Sequence, residues 1–255
     1  MKKILTIAWR DYKTYFTSPI AYILMFVFLV IMGLSFYNGL ITFYNFTQNS
    51  RGNFMGGGPR SISDFLRQGL FPMLNLLMLF ITPFITMRLL SEERKMHTYE
   101  LLATAPITLW QIVLGKFLSG LFMVLTLFAL TLFYPIFLYV FGNPETGTLV
   151  ACYLGAILMA ACYLSIGTLF SAMTENQIIS AAVTFSACFF FWIVSWASYH
   201  IGAFWGDILK FLSLHSHFMT MSEGLINTSD VFFFLSFIGF GLYLARQVLE
   251  SYRWR

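Results

Sequence analysis

Long apolar runs without a charged residue are the feature that limits most strongly how this chain can fold. Six of them are long enough for an α-helix to cross the hydrocarbon core of a bilayer, which takes about 20 residues. The expected spans, which extend slightly beyond the charge-free runs, are 20–43, 69–89, 109–141, 148–173, 177–199 and 231–247. Because a backbone in lipid must satisfy its hydrogen bonds within its own segment, the sequence predicts an all-α polytopic membrane protein with six transmembrane helices.

The composition supports this class and excludes others. Hydrophobic residues make up 58% of the chain and charged residues 10%, which leaves too little polar surface for a water-soluble globule. The 15 lysines and arginines are scattered between the apolar runs, so no nucleic acid partner is expected. The sequence contains no HExxH, GxSxG or GxxxxGK motif, so we expect a non-catalytic chain without a nucleotide site of its own.

The distribution of positive charge predicts the orientation. If the N-terminus is cytoplasmic, eleven of the 15 lysines and arginines lie in cytoplasmic segments and four in outer segments. Positively charged loops are retained in the cytoplasm, so both ends of the chain are expected there. Residues 91–108 then face the cytoplasm, and residues 201–230 form an extracytoplasmic helical loop.

Residues 1–18 have the pattern of an amphipathic helix rather than a span. Its polar side consists of Lys3, Thr6, Arg10, Lys13 and Thr17. We expect an interfacial helix that lies flat under the inner leaflet, with its cations toward lipid phosphates, and that ends at Pro19. A disordered basic tail is the alternative that the sequence leaves open.

The densest cluster of charge lies in residues 91–108, between the second and third spans. Thr98 can cap a short helix, and Pro106 disfavours helix just before it. Thr108 and Gln111 then fit a capping box at the start of the third span. On composition alone, an ordinary charged loop is an equally good interpretation.

A resemblance to a known family favours the interpretation of residues 91–108 as a short capped helix over that of an ordinary charged loop. The run EERKMHTYELLATAPITLWQIVLGKFL resembles the signature of ABC-2 type transporter permeases, in which glutamates at the end of the second span precede a core of Gly, Thr, Glu and Leu-Leu, a Pro and a Gly-Lys-Phe. The matching residues are Glu92, Glu93, Thr98, Glu100, Leu101, Leu102, Pro106, Gly115, Lys116 and Phe117. His97 departs from the pattern, because the family usually has glycine there and the turn must form without glycine's freedom.

The resemblance covers nearly the whole chain. Three further runs resemble the gliding-motility-associated, GldF-like branch of these permeases: SPIAYILMFVFLVIMGLSFY, TENQIISAAVTF and HFMTMSEGLINTSDVFFFLS. The resemblance implies the ABC-2 (type V exporter-like) permease fold. In that fold, residues 1–18 would be the connecting helix and a coupling helix would lie within 91–108.

The function implied by the resemblance is that of a permease subunit of an ABC exporter, which moves its substrate by alternating access. A separate cytoplasmic ABC ATPase dimer would supply the energy, so ATP and Mg would be bound by that partner and no cofactor by this chain. The implied ATPase-docking residues are Glu92, Glu93, Arg94, Lys95, His97, Thr98, Tyr99, Glu100, Leu101, Leu102 and Pro106.

The resemblance also implies partners and a location. These are a second permease copy or a related permease, membrane lipid, and the bacterial cytoplasmic (inner) membrane, with an extracytoplasmic accessory subunit in the gliding-type branch. The alternative function is a membrane scaffold that transmits force in an envelope machine.

Polar residues inside the spans are candidates for a substrate pathway, namely Asn75, Thr82, Thr126 and Thr184. Threonine hydroxyls also hydrogen bond to helix backbones, so packing is the alternative. No acidic or basic residue is central in a span, which argues against a proton relay. His215 and His217 face different sides of a helix, so no metal site is expected. Cys152, Cys162 and Cys188 are expected to be packing residues.

Overall fold

The computed structural model of the chain describes residues 2–49, 66–96, 107–141, 144–197 and 203–252. Within these ranges the regular structure is helical, and no strand is present. Six helices are long and apolar enough to cross a membrane. The prediction of an all-α chain with six membrane-spanning helices is therefore confirmed.

The helices are numbered here in chain order, and a π-helical turn, Leu66–Leu70, leads into the third. They are α1 (Lys2–Thr17), α2 (Pro19–Asn49), α3 (Phe71–Thr86), α4 (Ser91–Lys95), α5 (Leu109–Thr131), α6 (Phe133–Phe141), α7 (Thr146–Met173), α8 (Gln177–Ala197), α9 (Ala203–Leu212), α10 (Leu214–Ser222) and α11 (Thr228–Tyr252). The six spans are formed by α2, α3 with α4, α5 with α6, α7, α8 and α11.

Two spans extend beyond the boundaries expected from hydropathy. Helix α2 continues to Asn49 rather than ending at residue 43, and α11 runs from Thr228 to Tyr252 rather than from 231 to 247. The apolar run marks only the part of a helix that lies in hydrocarbon, whereas backbone hydrogen bonding can continue into the polar region. Helix α11 is thereby long enough for a full crossing.

Helix α7 forms the centre of the bundle and packs against α3, α5, α8, α10 and α11. Small residues allow two of these helices to approach it closely. A Cβ at Gly167 of α7 would overlap the side chain of Thr86 on α3, and a Cβ at Gly241 of α11 would lie 2.9 Å from Ser165 Oγ on α7. By contrast, α2, α8 and α11 expose most of their apolar length, which is the surface available to lipid or to another chain.

Helix α1 packs lengthwise along α5. Ile7 lies against Gly115, and the Tyr12 hydroxyl lies 2.7 Å from Thr126 Oγ1, eleven residues further along α5. Tyr15 at the end of α1 donates a hydrogen bond of 2.9 Å to Ile85 O on α3. The buried side of α1 therefore includes Ile7 and Ala8, while the large apolar Leu5 is exposed.

Helices α9 and α10 lie at the opposite end of the bundle, between the end of α8 and the start of α11. His217 on α10 joins them to α11, because its Nδ1 lies 2.7 Å from Asp230 Oδ1 and its Nε2 lies 2.9 Å from Phe211 O. The imidazole also stacks on Phe233, with ring centroids 4.0 Å apart. These contacts give His217 a structural role at this end of the fold.

Candidate functional site

The end of the bundle that contains α1 and α4 holds the described flanks of the sequence motif, residues 91–96 and those from 107 onward. Residues 97–106, which include His97, Thr98, Tyr99, Glu100, Leu101, Leu102 and Pro106 and thus the expected coupling helix, lie outside the described residues. The chain is described again from residue 107. There the Thr108 side chain accepts a hydrogen bond from Gln111 N (3.4 Å), and Gln111 Oε1 accepts one from Thr108 N (3.2 Å). The predicted capping box is confirmed.

Four charged side chains meet where α1, α4 and α5 come together, and we call them the four-charge cluster: Arg10, Asp11, Glu93 and Lys116. Lys116 Nζ lies 2.8 Å from Asp11 Oδ2 and 2.6 Å from Glu93 Oε1. Arg10 Nη2 lies 2.8 Å from Asp11 Oδ1 and 3.2 Å from the same Glu93 oxygen. The cluster therefore joins α1, α4 and α5 at one point.

Lys116 requires this arrangement because its side chain is only 5% exposed. A charge removed from water is tolerated when opposite charges and hydrogen bonds compensate for the lost hydration. Asp11 and Glu93 supply two negative charges, and Arg10 brings the formal sum of the four side chains to zero. Neither acid can be removed without leaving an excess of positive charge next to a buried ammonium group.

Burial also affects the phenol of Tyr15, next to this cluster. It raises the pKa of Tyr15 well above the ordinary value for a tyrosine, and the nearby carboxylate of Asp11 acts in the same direction. The phenol therefore remains protonated and serves as the donor to Ile85 O. Through this bond and the ion pairs, α1 is attached to both α3 and α5.

Arg94 attaches α4 to the other side of the bundle. Its Nη1 donates a 2.7 Å hydrogen bond to Ala172 O at the end of α7, and its Nη2 lies 3.0 Å from Glu175 Oε1. The guanidinium carbon lies 3.9 Å from the ring centroid of Tyr252 at the end of α11. At the start of α4, the backbone N–H groups of Leu90 and Ser91 donate hydrogen bonds to Ser171 Oγ on α7.

The sequence-predicted docking residues that the structure describes thus fall into two groups. Glu93 and Arg94 are half-buried and bind other parts of the same chain, which positions the backbone that leads into residues 97–106. Glu92 is also half-buried, whereas Lys95 is exposed. Lys95 is therefore the described member of the set whose side chain is exposed.

Sequence reasoning missed most partners in these contacts. Lys116 matched the family motif, but no role was assigned to it, and Asp11, Glu175 and Tyr252 were not singled out. One signal was available: Lys116 is a cation next to an apolar helix, and a buried cation requires an acid nearby. Which acid fulfils that need depends on the packing of α1, which the pattern of α5 does not contain.

The four pathway candidates lie in different surroundings. Thr82 donates a hydrogen bond to Met78 O (2.6 Å), and Thr126 donates one to Phe122 O (2.9 Å). Asn75 and Thr184 are buried, and their side-chain polar atoms have no hydrogen-bond partner among the described residues. The hydroxyls of Thr82 and Thr126 thus satisfy helix backbones, while Asn75 and Thr184 retain unused hydrogen-bonding capacity.

Comparison with known proteins identifies the family. The family model described as "ABC-2 family transporter protein" matches residues 5–248, from within α1 to within α11. No curated protein matches the chain. The match includes all four residues of the four-charge cluster. It also includes five of the six membrane-spanning helices in full and most of the sixth. The chain therefore belongs to the ABC-2 transporter family, as a membrane-spanning permease subunit of an ABC transporter.

Proposed function

We propose that this chain is the permease of an exporter in which a separate ATPase dimer acts on residues 97–106. The observation that carries the proposal is the attachment of α4, which immediately precedes that segment. Glu93 connects α4 to α1 and α5, and Arg94 connects it to the ends of α7 and α11. A displacement of the segment would therefore reach four helices through ion pairs, a hydrogen bond and a cation–π contact.

An ABC-2 permease works with an ATP-binding cassette partner. That partner would bind ATP and Mg and would supply the energy. Closure of two ATPase subunits around nucleotide would move residues 97–106, and the attached spans would tilt as rigid helices between two packed arrangements. The rigid attachment of α4 is suited to this task, because a loosely held segment would absorb the motion locally.

The remaining parts of the proposal concern assembly and orientation. Six spans form half of a translocation unit, and a second permease copy or a related permease would cover the apolar surfaces left exposed on α2, α8 and α11. The end with α1 and α4 would face the cytoplasm of a bacterial inner membrane, in agreement with the positive charge there. Kinship with the GldF-like branch would add an extracytoplasmic accessory subunit at the end with α9 and α10.

The proposal is tested by ATPase activity of the complex that co-purifies with the chain, reconstituted in lipid. Glu100→Lys and Leu101→Asp are expected to lower the hydrolysis rate to that of the isolated ATPase. The matched control is Glu223→Lys, which makes the same charge change at an exposed position of the opposite end. Full coupling in both docking variants would contradict the proposal, and coupled hydrolysis without movement of any solute would favour the force-transmitting scaffold.

A further inference from the structure

Two neighbouring concavities flank the exposed ridge formed by Leu5 and Trp9 on α1. The first, about 400 Å³, opens between α1 and α5, and we call it the α1–α5 crevice; it is lined by Leu5, Trp9, Tyr12, Phe122 and Thr126. The second, about 550 Å³, lies on the other side of the ridge and is lined by Leu5, Thr6, Trp9, Arg10 and Lys13. An apolar and a cationic concavity therefore share one wall.

The α1–α5 crevice offers an apolar surface. Thr126 donates a hydrogen bond to Phe122 O, so the Tyr12 hydroxyl is the donor in its 2.7 Å contact with Thr126 Oγ1. The hydrogens of both hydroxyl groups therefore have an acceptor within the protein. Leu5 and Trp9 are 54% and 53% exposed although both are large and apolar, and the Tyr12 ring packs edge-on against Phe122. Such a surface is suited to a hydrocarbon chain.

The second concavity supplies positive charge beside that surface. Lys13 Nζ lies 5.4 Å from the centre of the Trp9 ring, and Arg10 is held at the edge by its contacts with Asp11 and Glu93. Helix α1 as a whole carries four cations, Lys2, Lys3, Arg10 and Lys13, against one acid, Asp11. This excess complements an anionic group at the membrane surface.

We propose that the α1–α5 crevice and the adjoining concavity form one binding site for an anionic phospholipid. The phosphate lies beside Arg10 and Lys13, and one acyl chain lies between the Leu5–Trp9 ridge and Phe122. A phospholipid is the occupant that combines both requirements, because its anionic and apolar parts are joined over the same short distance as the two concavities. A bound phosphate also competes with Glu93 for Arg10, which links lipid binding to the four-charge cluster.

The test uses the full chain in nanodiscs and measures quenching of Trp9 fluorescence by brominated lipid. The signal of Trp9 is isolated by subtracting the quenching of a Trp9→Phe variant, because the chain contains 6 tryptophans. Brominated phosphatidylglycerol is expected to quench Trp9 more strongly than brominated phosphatidylcholine at the same mole fraction. Equal quenching by the two lipids would overturn the proposal.

Two matched variants of α1 test the role of charge. Lys13→Gln removes a cation that lines the site and is expected to reduce the preference for the anionic lipid about fivefold, which corresponds to about 1 kcal/mol for one cation at a charged surface. Lys2→Gln makes the same change on the same helix but outside both concavities, and is expected to keep the preference. An unchanged preference in Lys13→Gln, or an equal loss in both variants, would contradict the assignment.

A soluble competitor and a concentration series separate the remaining occupants. Glycerol phosphate at millimolar concentration is expected to leave the quenching unchanged, since it lacks the acyl chain, and displacement by it would identify a simple phosphate site instead. Quenching that is lost as the protein concentration rises would show that a second copy of the chain covers the crevice. Either of these last two results would overturn the lipid site.

Discussion

At the scale of single residues, the most consequential group is the buried ammonium of Lys116. It is held by two carboxylates from different helices, and one of these, Glu93, is shared with Arg10. In such a network each charge is tolerated only because the others are present, so the loss of one member costs more than the pair contributes. Lys116 is therefore a structural centre as well as a link to residues 97–106.

The first prediction concerns this centre. Lys116→Met leaves Asp11 and Glu93 with Arg10 but without the buried ammonium group, so the cluster has one negative charge in excess, and we expect the free energy of unfolding to fall by about 3 kcal/mol. Thermal unfolding of the purified protein in detergent measures the loss. The double variant Lys116→Met/Glu93→Gln removes the excess negative charge and should recover part of it. Lys210→Met, an exposed control on α9, should unfold like the wild type, and an unchanged Lys116→Met would refute the role of the cluster.

The second prediction concerns the His217–Asp230 pair. A carbonyl only accepts hydrogen bonds, so His217 Nε2 carries a hydrogen toward Phe211 O, and Nδ1 shares a proton with Asp230. Asp230→Ala removes that partner from a buried imidazole, at a cost of about 2 kcal/mol. Hydrogen exchange of the α10 backbone should become faster, whereas the exposed Asp207→Ala should have no effect. Protection of α10 at the wild-type level would show that stacking on Phe233 suffices.

At the scale of elements, close approaches at small residues bring α3 and α11 onto α7. Its Gly167 lets α3 come near enough for Thr86 to occupy the space of a missing Cβ, and Ser165 meets Gly241 of α11 in the same way. Small residues permit such contacts in membranes, where the hydrophobic effect does not drive helices together. The packing of α3 and α11 on α7 thus depends on shape.

The third prediction tests this dependence. Gly167→Ala places a methyl group where the Thr86 side chain lies, and we expect a loss of about 2 kcal/mol in the free energy of unfolding. The double variant Gly167→Ala/Thr86→Ala should recover part of the loss, since it shortens the opposing side chain. Gly239→Ala is the matched control, because a Cβ there meets nothing within 4 Å. Equal unfolding temperatures for Gly167→Ala and Gly239→Ala would argue against close packing.

These elements differ in how far they could be predicted from sequence. The spans could be predicted, because the thickness of hydrocarbon fixes the length of an apolar helix, and the Thr108–Gln111 box could be predicted because its partners are three residues apart. The ends of α2 and α11 could not, since hydropathy does not register where backbone hydrogen bonding stops. The pairing of Asp11 with Lys116 could not be predicted either. It joins residues far apart in sequence and depends on which face of α1 is turned toward α5.

At the scale of the whole molecule, attachments are concentrated at the end that carries α1 and α4. Ion pairs, hydrogen bonds and a cation–π contact there connect α4 to α1, α5, α7 and α11, while α2, α8 and α11 expose most of their apolar length. In the proposed function, a force applied at residues 97–106 would enter the bundle next to α4 and would reach these four helices.

The most direct test of where the ATPase contacts the chain is site-specific photo-crosslinking in native membranes. A photoreactive residue is placed at Lys95, at Glu100 and at Ser229. Lys95 and Ser229 are exposed at opposite ends of the bundle, and Glu100 lies in the motif. We expect Lys95 and Glu100 to crosslink to a cytoplasmic ABC ATPase, and we expect no such crosslink from Ser229. Crosslinking of the ATPase to Ser229 instead, or to none of the three positions in a complex that still hydrolyses ATP, would refute the proposal that the ATPase acts on residues 97–106.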